Sequence, residues 1–568
     1  MGDGIGSANT AVVTIGNNDE ISNSSTVTIN SDGRLNLATY NPNEDIGALN
    51  LSGGHVDTGT GNLYINGDVT VTTNTANQTA LIDGNLNLSG GTRTFTVANG
   101  GLTSDLTVNA RINSGSIIKA GSGIMTITSD NTIGYGGTTQ VAAGTLNIQN
   151  STALGQIGSG LPAAGTTVDN GATLQLEQTT FGAVTVGNEA LSINGSGVGG
   201  LGALNSKAGN NSWAGAITLA SSGTGATIKS DTVGDTFTLS NSITGAASVT
   251  QDLVVRGVGN IAISGQIVNG ASGGLVTLTK NDSGTVSLTG ANTFTGAITV
   301  NGGTLSLGGS TLGGQNAVSV GSGATLSQVG GGASNTISAL TGSGGTVSIA
   351  SGGTVVVNNS SSDTFGGVLS GTGTFEKTGA GTFTFTNNVS TFNFGGTVKL
   401  DTGTLEFTGG TQLNSLTLAN LTIGGGTLLL TGAYINVGTL NITGNTVFDF
   451  GNASTSILNA TNVFIAAGAQ ITIQNWTSET DFFYALTSFQ QTAGPSAVYN
   501  AVGAAPENQV LFNGTGANTT WTDNYPGGGY QNFEIRPVPE PTTYGALFLA
   551  SCVSLLSWQR YRRRSKNV

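Results

Sequence analysis

Three stretches of this chain can be laid on one another, and their shared pattern limits the fold more than any other feature. They are "KAGSGIMTITSDNTIGYGGTTQVAAGTLNI" from Lys119, "KNDSGTVSLTGANTFTGAITVNGGTLSL" from Lys280 and "KTGAGTFTFTNNVSTFNFGGTVKLDTGTLEF" from Lys377. In each, a Gly stands four residues after the Lys (Gly123, Gly284, Gly381) and an alternating run follows: "IMTIT", "TVSLT", "TFTFT". A polar turn with Asn, a second strand-like run and a Gly-Thr-Leu-x-aliphatic ending come next, at Gly144, Gly303 and Gly403. Differences in length fall in the turns. Weaker copies fill the intervals: "GATLQL" ends at Leu176, "GATLSQ" carries Leu326, "GGTVSI" carries Val347 and "GGTLLL" carries Leu428. Leu305, Leu326 and Val347 lie 21 residues apart. A period near 20 residues made of short strands and Gly turns is the mark of a β-solenoid.

The physical reason is the strand alternation. "TVSLT" puts Val286 and Leu288 on one face and Thr285, Ser287 and Thr289 on the other. One such strand cannot bury its apolar face alone. Coiling the chain sets each strand about 4.8 Å above its equivalent, so apolar residues form continuous inner ladders and hydroxyls coat the outside. Glycines serve the tight corners. The expected fold is all-β, a right-handed parallel β-helix, followed by a single C-terminal transmembrane helix. Roughly 500 residues at about 20–25 per coil give about 20–25 coils, a rod on the order of 100 Å. A β-sandwich would not repeat the same Gly-Thr-Leu ending along the whole chain. The 93 glycines among 568 residues exclude long helices. With eight prolines and no three-residue Gly period, collagen is excluded too.

Charge narrows the partners. Residues 1–559 carry 11 basic and 29 acidic side chains, a net of −18, while Arg560, Arg562, Arg563, Arg564 and Lys566 crowd the last nine positions. A weakly charged, acidic body lacks the clustered cations that neutralise phosphates, so nucleic acid is not an expected partner. The one cysteine, Cys552, lies in the apolar tail. The body is therefore held together by repetition rather than disulfides.

The repeated segments resemble the autotransporter-associated β-strand repeat of secreted bacterial passengers. The likeness is carried by "LTKNDSGTVSLTGANTFTGAITVNGGTLSLGG" (278–309), with the Lys119 and Lys377 copies weaker. That resemblance implies a parallel β-helix stalk in an extracellular setting and no enzymatic activity. Autotransporters end in a membrane β-barrel, whereas this chain ends in one apolar run and arginines, which implies a different export route.

The tail has three parts in order. Val538-Pro539-Glu540-Pro541 precedes "YGALFLASCVSLLSW" (Tyr544–Trp558), and "RYRRRSK" follows. The uncharged run, 542–558 with its two threonines, is at the short edge for a bilayer span. Trp558 and Tyr561 sit where interfacial aromatics belong, and Arg560, Arg562, Arg563, Arg564 and Lys566 supply the cytoplasmic positive charge. This arrangement resembles the PEP-CTERM sorting signal of exosortase substrates. It implies a membrane-anchored precursor whose body lies outside the cytoplasm, then cleavage near the motif by an exosortase, with release or surface attachment. The N-terminus, "MGDGIGSANTAVVTIG", has no basic region or apolar core of a signal peptide, so the natural start is expected upstream. The domain reading is β-helix repeats over 1–470, an aromatic-richer cap and linker over 471–536, and the sorting tail over 537–568. Trp476, Phe482, Phe483, Tyr484 and Trp521 mark the cap, whose bland reading is closure of a solenoid end and whose sharper one is a ligand-binding patch.

Chemistry is sparse. Asp105, Asp130, Asp282, Glu376, Asp401 and Glu406 are scattered singly, whereas glycosidic hydrolysis needs two carboxylates in one cleft. Glu44 and Asp45 in "NEDIG" lie in a loop-like stretch. The sole histidine, His55, shares a strand face with Asp57, and a solvent-facing surface pair is the preferred reading. "GSGVGG" (195–200) has no strand–turn–helix context. Lys119, Lys280 and Lys377 read as strand-edge protection. No catalytic, cofactor or metal site is assigned. Two readings remain: an exported structural or adhesin-like surface or matrix protein, touching polysaccharide through its repeated Thr/Asn/Ser face, or a carbohydrate-active β-helix enzyme. Three or more acids stacked in one lateral groove would favour the enzyme.

Overall fold

A computed structural model describes residues 1–155, 165–180, 182–220, 225–309, 312–313, 315–386, 393–409, 416–451, 455–477, 480–493, 497–499, 509–512, 515–522 and 532–537. The chain divides into two compact units, Met1–Asn358 and Asn359–Val568. Each is built of short, parallel, stacked strands, which is a β-solenoid.

In the first unit the strands fall on three lateral sheets. One has fifteen strands, one has eleven, and the third side is formed near the N-terminus by four strands and later by a stack beginning at Thr185–Val186. A typical coil runs Ile217–Leu219, Gly225–Ser230 and Thr236–Leu239, one strand per side, and the next runs Ile243–Thr244, Thr250–Gly257 and Asn260–Ile263. The 21-residue spacing is the vertical register itself: Val286 sits beside Leu305, Leu305 beside Leu326, and Leu326 beside Val347. All four are buried. Their outward neighbours form two hydroxyl columns, Thr285-Thr304-Thr325-Thr346 and Ser287-Ser306-Ser327-Ser348.

In the second unit two ladders alternate along the chain. One stacks Thr374–Thr378, Asn393–Leu400, Leu416–Ile423, Tyr434–Ile442, Ile457–Ala466 and Phe482–Ala493; the other stacks Thr382–Phe385, Thr404–Thr408, Thr427–Thr431, Thr446–Asp449, Ile471–Gln474 and Val510–Phe512. Phe383 and Phe385 lie with ring centroids 4.8 Å apart and edge to face, and Phe385 stacks on Phe407 of the next coil at 5.4 Å. Parallel stacking thus runs through Phe482–Ala493 and Val510–Phe512, while Ala497–Tyr499, Thr515–Thr522 and Asn532–Pro537 pair antiparallel. Phe483 is buried against Phe448, and Trp476 packs edge-on to Phe450 and Phe512.

One local expectation is corrected. Asn43–Ile46 is a strand, not a loop, and Glu44 points inward, fully buried. Its carboxylate accepts the N–H groups of Glu20 and Ile21 from the preceding coil, so an acid fills a core position by binding backbone donors. Among the described residues no helix is long and apolar enough to cross a membrane. The expected helix at 542–558 lies outside the described residues.

The alternation sets a sharp contrast between neighbours in sequence. Leu326→Ala should lower stability by about 2–5 kcal/mol, because it opens a cavity in a close-packed ladder. Ser327→Ala, on the outer face, should stay within about 0.5 kcal/mol. Urea denaturation of the two variants reads the difference, and equal losses would contradict the register.

Candidate functional site

The three repeat lysines are not at strand edges. Lys119, Lys280 and Lys377 are each the last inward-facing residue of a strand, and all are 0–1% exposed. Each ammonium donates to three backbone carbonyls in the same arrangement. Lys119 reaches Ala120, Gly121 and Ala143 at 3.0, 2.9 and 3.0 Å. Lys280 reaches Asn281, Asp282 and Gly302 at 2.7, 2.8 and 3.1 Å. Lys377 reaches Thr378, Gly379 and Thr402 at 2.6, 2.9 and 3.4 Å. Two acceptors belong to the turn just after the Lys. The third lies one coil on, immediately before the Gly of Gly-Thr-Leu.

That geometry explains why Gly stands there. Gly144, Gly303 and Gly403 have φ of +68°, +61° and +75°, a region costly for other residues. A Cβ on Gly144 would come within 2.4 Å of the Gly121 carbonyl and 2.9 Å of the Lys119 Nζ; one on Gly403 would meet Gly379 O at 2.1 Å and Lys377 Nζ at 2.8 Å. Lysine and glycine, some 25 residues apart in sequence, are one corner. In other coils a buried amide takes a similar part. Asn359 donates to Ser361 and Thr382 carbonyls, Asn316 to Phe294 and Gly296, and Gln509 to Ala466 and Ala469. Burial pushes each lysine down to about 8, with Asp105, Asp282 and Asp363 respectively pulling it back.

A second feature is a groove of about 490 Å³ on the eleven-stranded sheet. It crosses four parallel strands, Thr139–Val141, Thr166–Val168, Leu191–Ile193 and Ile217–Leu219. Gln140, Thr167, Ser192 and Thr218 form one in-register row along it, and Gly165, Ala190 and Ala216 form its small-residue floor. Among the described residues that line it, none is charged. Beneath it, Thr166 Oγ1 donates to the buried Glu189 carboxylate at 2.8 Å, and Trp213 Nε1 to the Glu189 carbonyl at 3.1 Å. Burial pushes Glu189 up to about 7.

The acids are occupied elsewhere. Asp105 accepts Gly100 and Ile124 N–H groups, Asp130 is held by Thr132 and Thr152, and Asp282 by Arg256 and the Gly257 N–H. Lys399 bridges Glu376 at 3.0 Å and Asp401 at 2.6 Å, and Glu406 accepts from Thr384 and Thr431. His55 and Asp57 do not bond one another. His55 Nε2 meets Asp83 at 2.7 Å and its Nδ1 meets Asn9 at 3.2 Å, while Asp57 binds Arg34. Among the described residues the register sets two acids side by side only at Asp57 and Asp83. Nor do three His, Cys, Asp or Glu converge there as metal ligands. "GSGVGG" forms a short 3₁₀ turn at Val198–Gly200. The tail residues Val538, Pro539, Glu540, Pro541, Arg560, Arg562, Arg563, Arg564 and Lys566 lie outside the described residues.

The passenger-associated-transport-repeat family matches residues 117–148 and 278–307. Each span runs from the strand of a buried lysine to the Gly-Thr-Leu strand one coil later. The Lys377 copy falls outside the matched spans but has the same corner. No curated protein and no solved structure matches the chain. The repeats and the solenoid together fit a passenger-type surface protein.

The corner predicts a pH dependence. Unfolded lysines hold their proton to about 10.4, whereas the buried ones release it near 8. Between these values the unfolded chain binds more protons, so stability should rise with pH across that window and be flat in this respect below it. Lys280→Met strands three buried carbonyls and should cost about 2–4 kcal/mol at pH 7, and it should remove its share of the rise. Urea midpoints at pH 7, 8, 9 and 10 check both; an unchanged midpoint at pH 7 would show that the ammonium is not holding the corner.

Proposed function

We propose that this protein is an exported, non-enzymatic, passenger-type structural protein whose solenoid body stands outside the cytoplasm at the cell surface or in the extracellular matrix. The observation that carries the reading is the recurrence of the lysine–glycine corner in the coils that match the passenger repeat. A stack closed by its own buried donors needs no disulfide or metal to persist after export. Its mechanism is mechanical reach with many weak contacts along a repeated hydroxyl face, the Thr and Ser columns of residues 285–348 being one such face. Right-handed coiling belongs to this reading, since right-twisted strands favour right-handed crossovers.

Sorting belongs to the same proposal. The order Val538–Pro541, apolar run 542–558, then Arg560, Arg562, Arg563, Arg564 and Lys566 supports an exosortase substrate held in the membrane as a precursor and cut near the motif. Polysaccharide of the envelope or matrix is the partner class that suits the uncharged Thr and Ser columns. Mass spectrometry of the mature protein from its native host tests the reading. The expected C-terminal peptide ends near Pro541, and protease added to intact cells should digest the body. An intact "RRRSKNV" end on a protease-shielded protein would overturn it.

A further inference from the structure

We infer that the groove over Gly165, Ala190 and Ala216 is a docking site for one extended, uncharged polysaccharide strand lying along the solenoid stack. The inference rests on the surface reading above and adds to it a place and a ligand class. Four observations converge. First, the groove runs across the strands, so its lining repeats at the coil rise: Gln140, Thr167, Ser192 and Thr218 recur about every 4.8 Å over roughly 14 Å. A linear glycan presents its ring hydroxyls at a comparable regular interval, and hydroxyl and amide side chains can both donate to and accept from them.

Second, none of the described lining residues is charged, in a chain with 29 acidic and 16 basic residues, and the Asp169 carboxylate that Gln140 reaches is taken up by that bond. A uronate, sulfate or phosphate would find no cation there, whereas a neutral sugar needs none. Third, the floor is Gly165, Ala190 and Ala216, on three successive coils. Their small size makes the face concave, and the two alanine methyls give an apolar seat for sugar C–H faces. Fourth, the site is braced. Gln140 Nε2 is held by Asp169 at 2.7 Å. Beneath the floor, Thr139 bonds the buried Tyr135 hydroxyl at 2.7 Å and Thr166 bonds Glu189. Pre-set side chains lose less freedom on binding.

The test is affinity electrophoresis of the full chain through gels containing hydroxyethylcellulose, a soluble β-1,3-glucan, a soluble α-glucan, or alginate as the acidic control. The wild type should be retarded by at least one neutral polymer and not by alginate. Ala190→Trp, which fills the groove, should weaken that retardation at least tenfold. The double variant Thr167→Val with Ser192→Ala removes two hydroxyls while keeping shape; it guards against misfolding and should weaken retardation at least threefold with an unchanged far-ultraviolet dichroism spectrum. Ala317→Trp, at an exposed position on the fifteen-stranded sheet and outside the hydroxyl columns, should leave retardation unchanged. Retardation by alginate alone, by no polymer, or undiminished in both groove variants overturns the site, as does a groove variant that changes only the oligomeric mass. Those failures concern the groove; the surface reading fails separately, if protease added to intact cells leaves the body uncut.

Discussion

Vertical register is the constraint on which everything else in this molecule depends. When parallel strands stack about 4.8 Å apart, each side chain meets the same class of neighbour above and below. Inner ladders such as Val286-Leu305-Leu326-Val347 follow at once. So does a difficulty. At each corner the chain leaves the sheet, and its carbonyls turn toward an apolar interior where an unpaired acceptor is costly. The lysine corners answer that difficulty. An ammonium has three donors, and each corner offers three carbonyls. Gly at the following corner leaves room for the ammonium, so the two residues constrain one another across a whole coil.

Much of the fold was legible in the sequence. Periodicity placed the stacked strands and the equivalence of Leu305, Leu326 and Val347 correctly. The role of the lysines was legible too, but through a signal easily passed over. In "LVTLTK" the alternation that buries Val276 and Leu278 also buries Lys280, and Phe375 with Lys377 and Ile117 with Lys119 repeat the parity. Reading Lys as an edge guard let its charge override its phase. Glu44 misled differently, since "NEDIG" reads as a loop although Glu44 takes an inward strand position. The alternation also failed where both faces are buried: Asn147, Gln175 and Asn205 stand opposite the inner ladder yet are 0–6% exposed, linked to one another by side-chain hydrogen bonds. The groove was not legible at all, because Gly165, Ala190 and Ala216 become neighbours only once the coils are stacked.

These features are compatible with a passenger-type structural body. The acids that sequence alone leaves scattered are held by structural donors: Asp105 by backbone N–H groups, Asp282 by Arg256, Glu406 by threonines on either side. What the outer faces offer instead is repetition. A repeated neutral surface favours ligands that are themselves repeated, which links the stack's architecture to the polysaccharide proposal through geometry and charge rather than through any single reactive group.

Cross-linking tests the register most directly. In a Cys552→Ala background, Ser306→Cys paired with Ser327→Cys places thiols on adjacent coils at partnered positions, with Cα atoms about 4.8 Å apart and within disulfide range. Ser306→Cys paired with Ser348→Cys places them two coils apart, about 9.6 Å, which is too far. Mild oxidation followed by peptide mass spectrometry should find an intramolecular disulfide in the first variant and not in the second. Cross-linking of both pairs to the same extent, or of neither, would contradict the stacked register from which the lysine corners and the groove both follow.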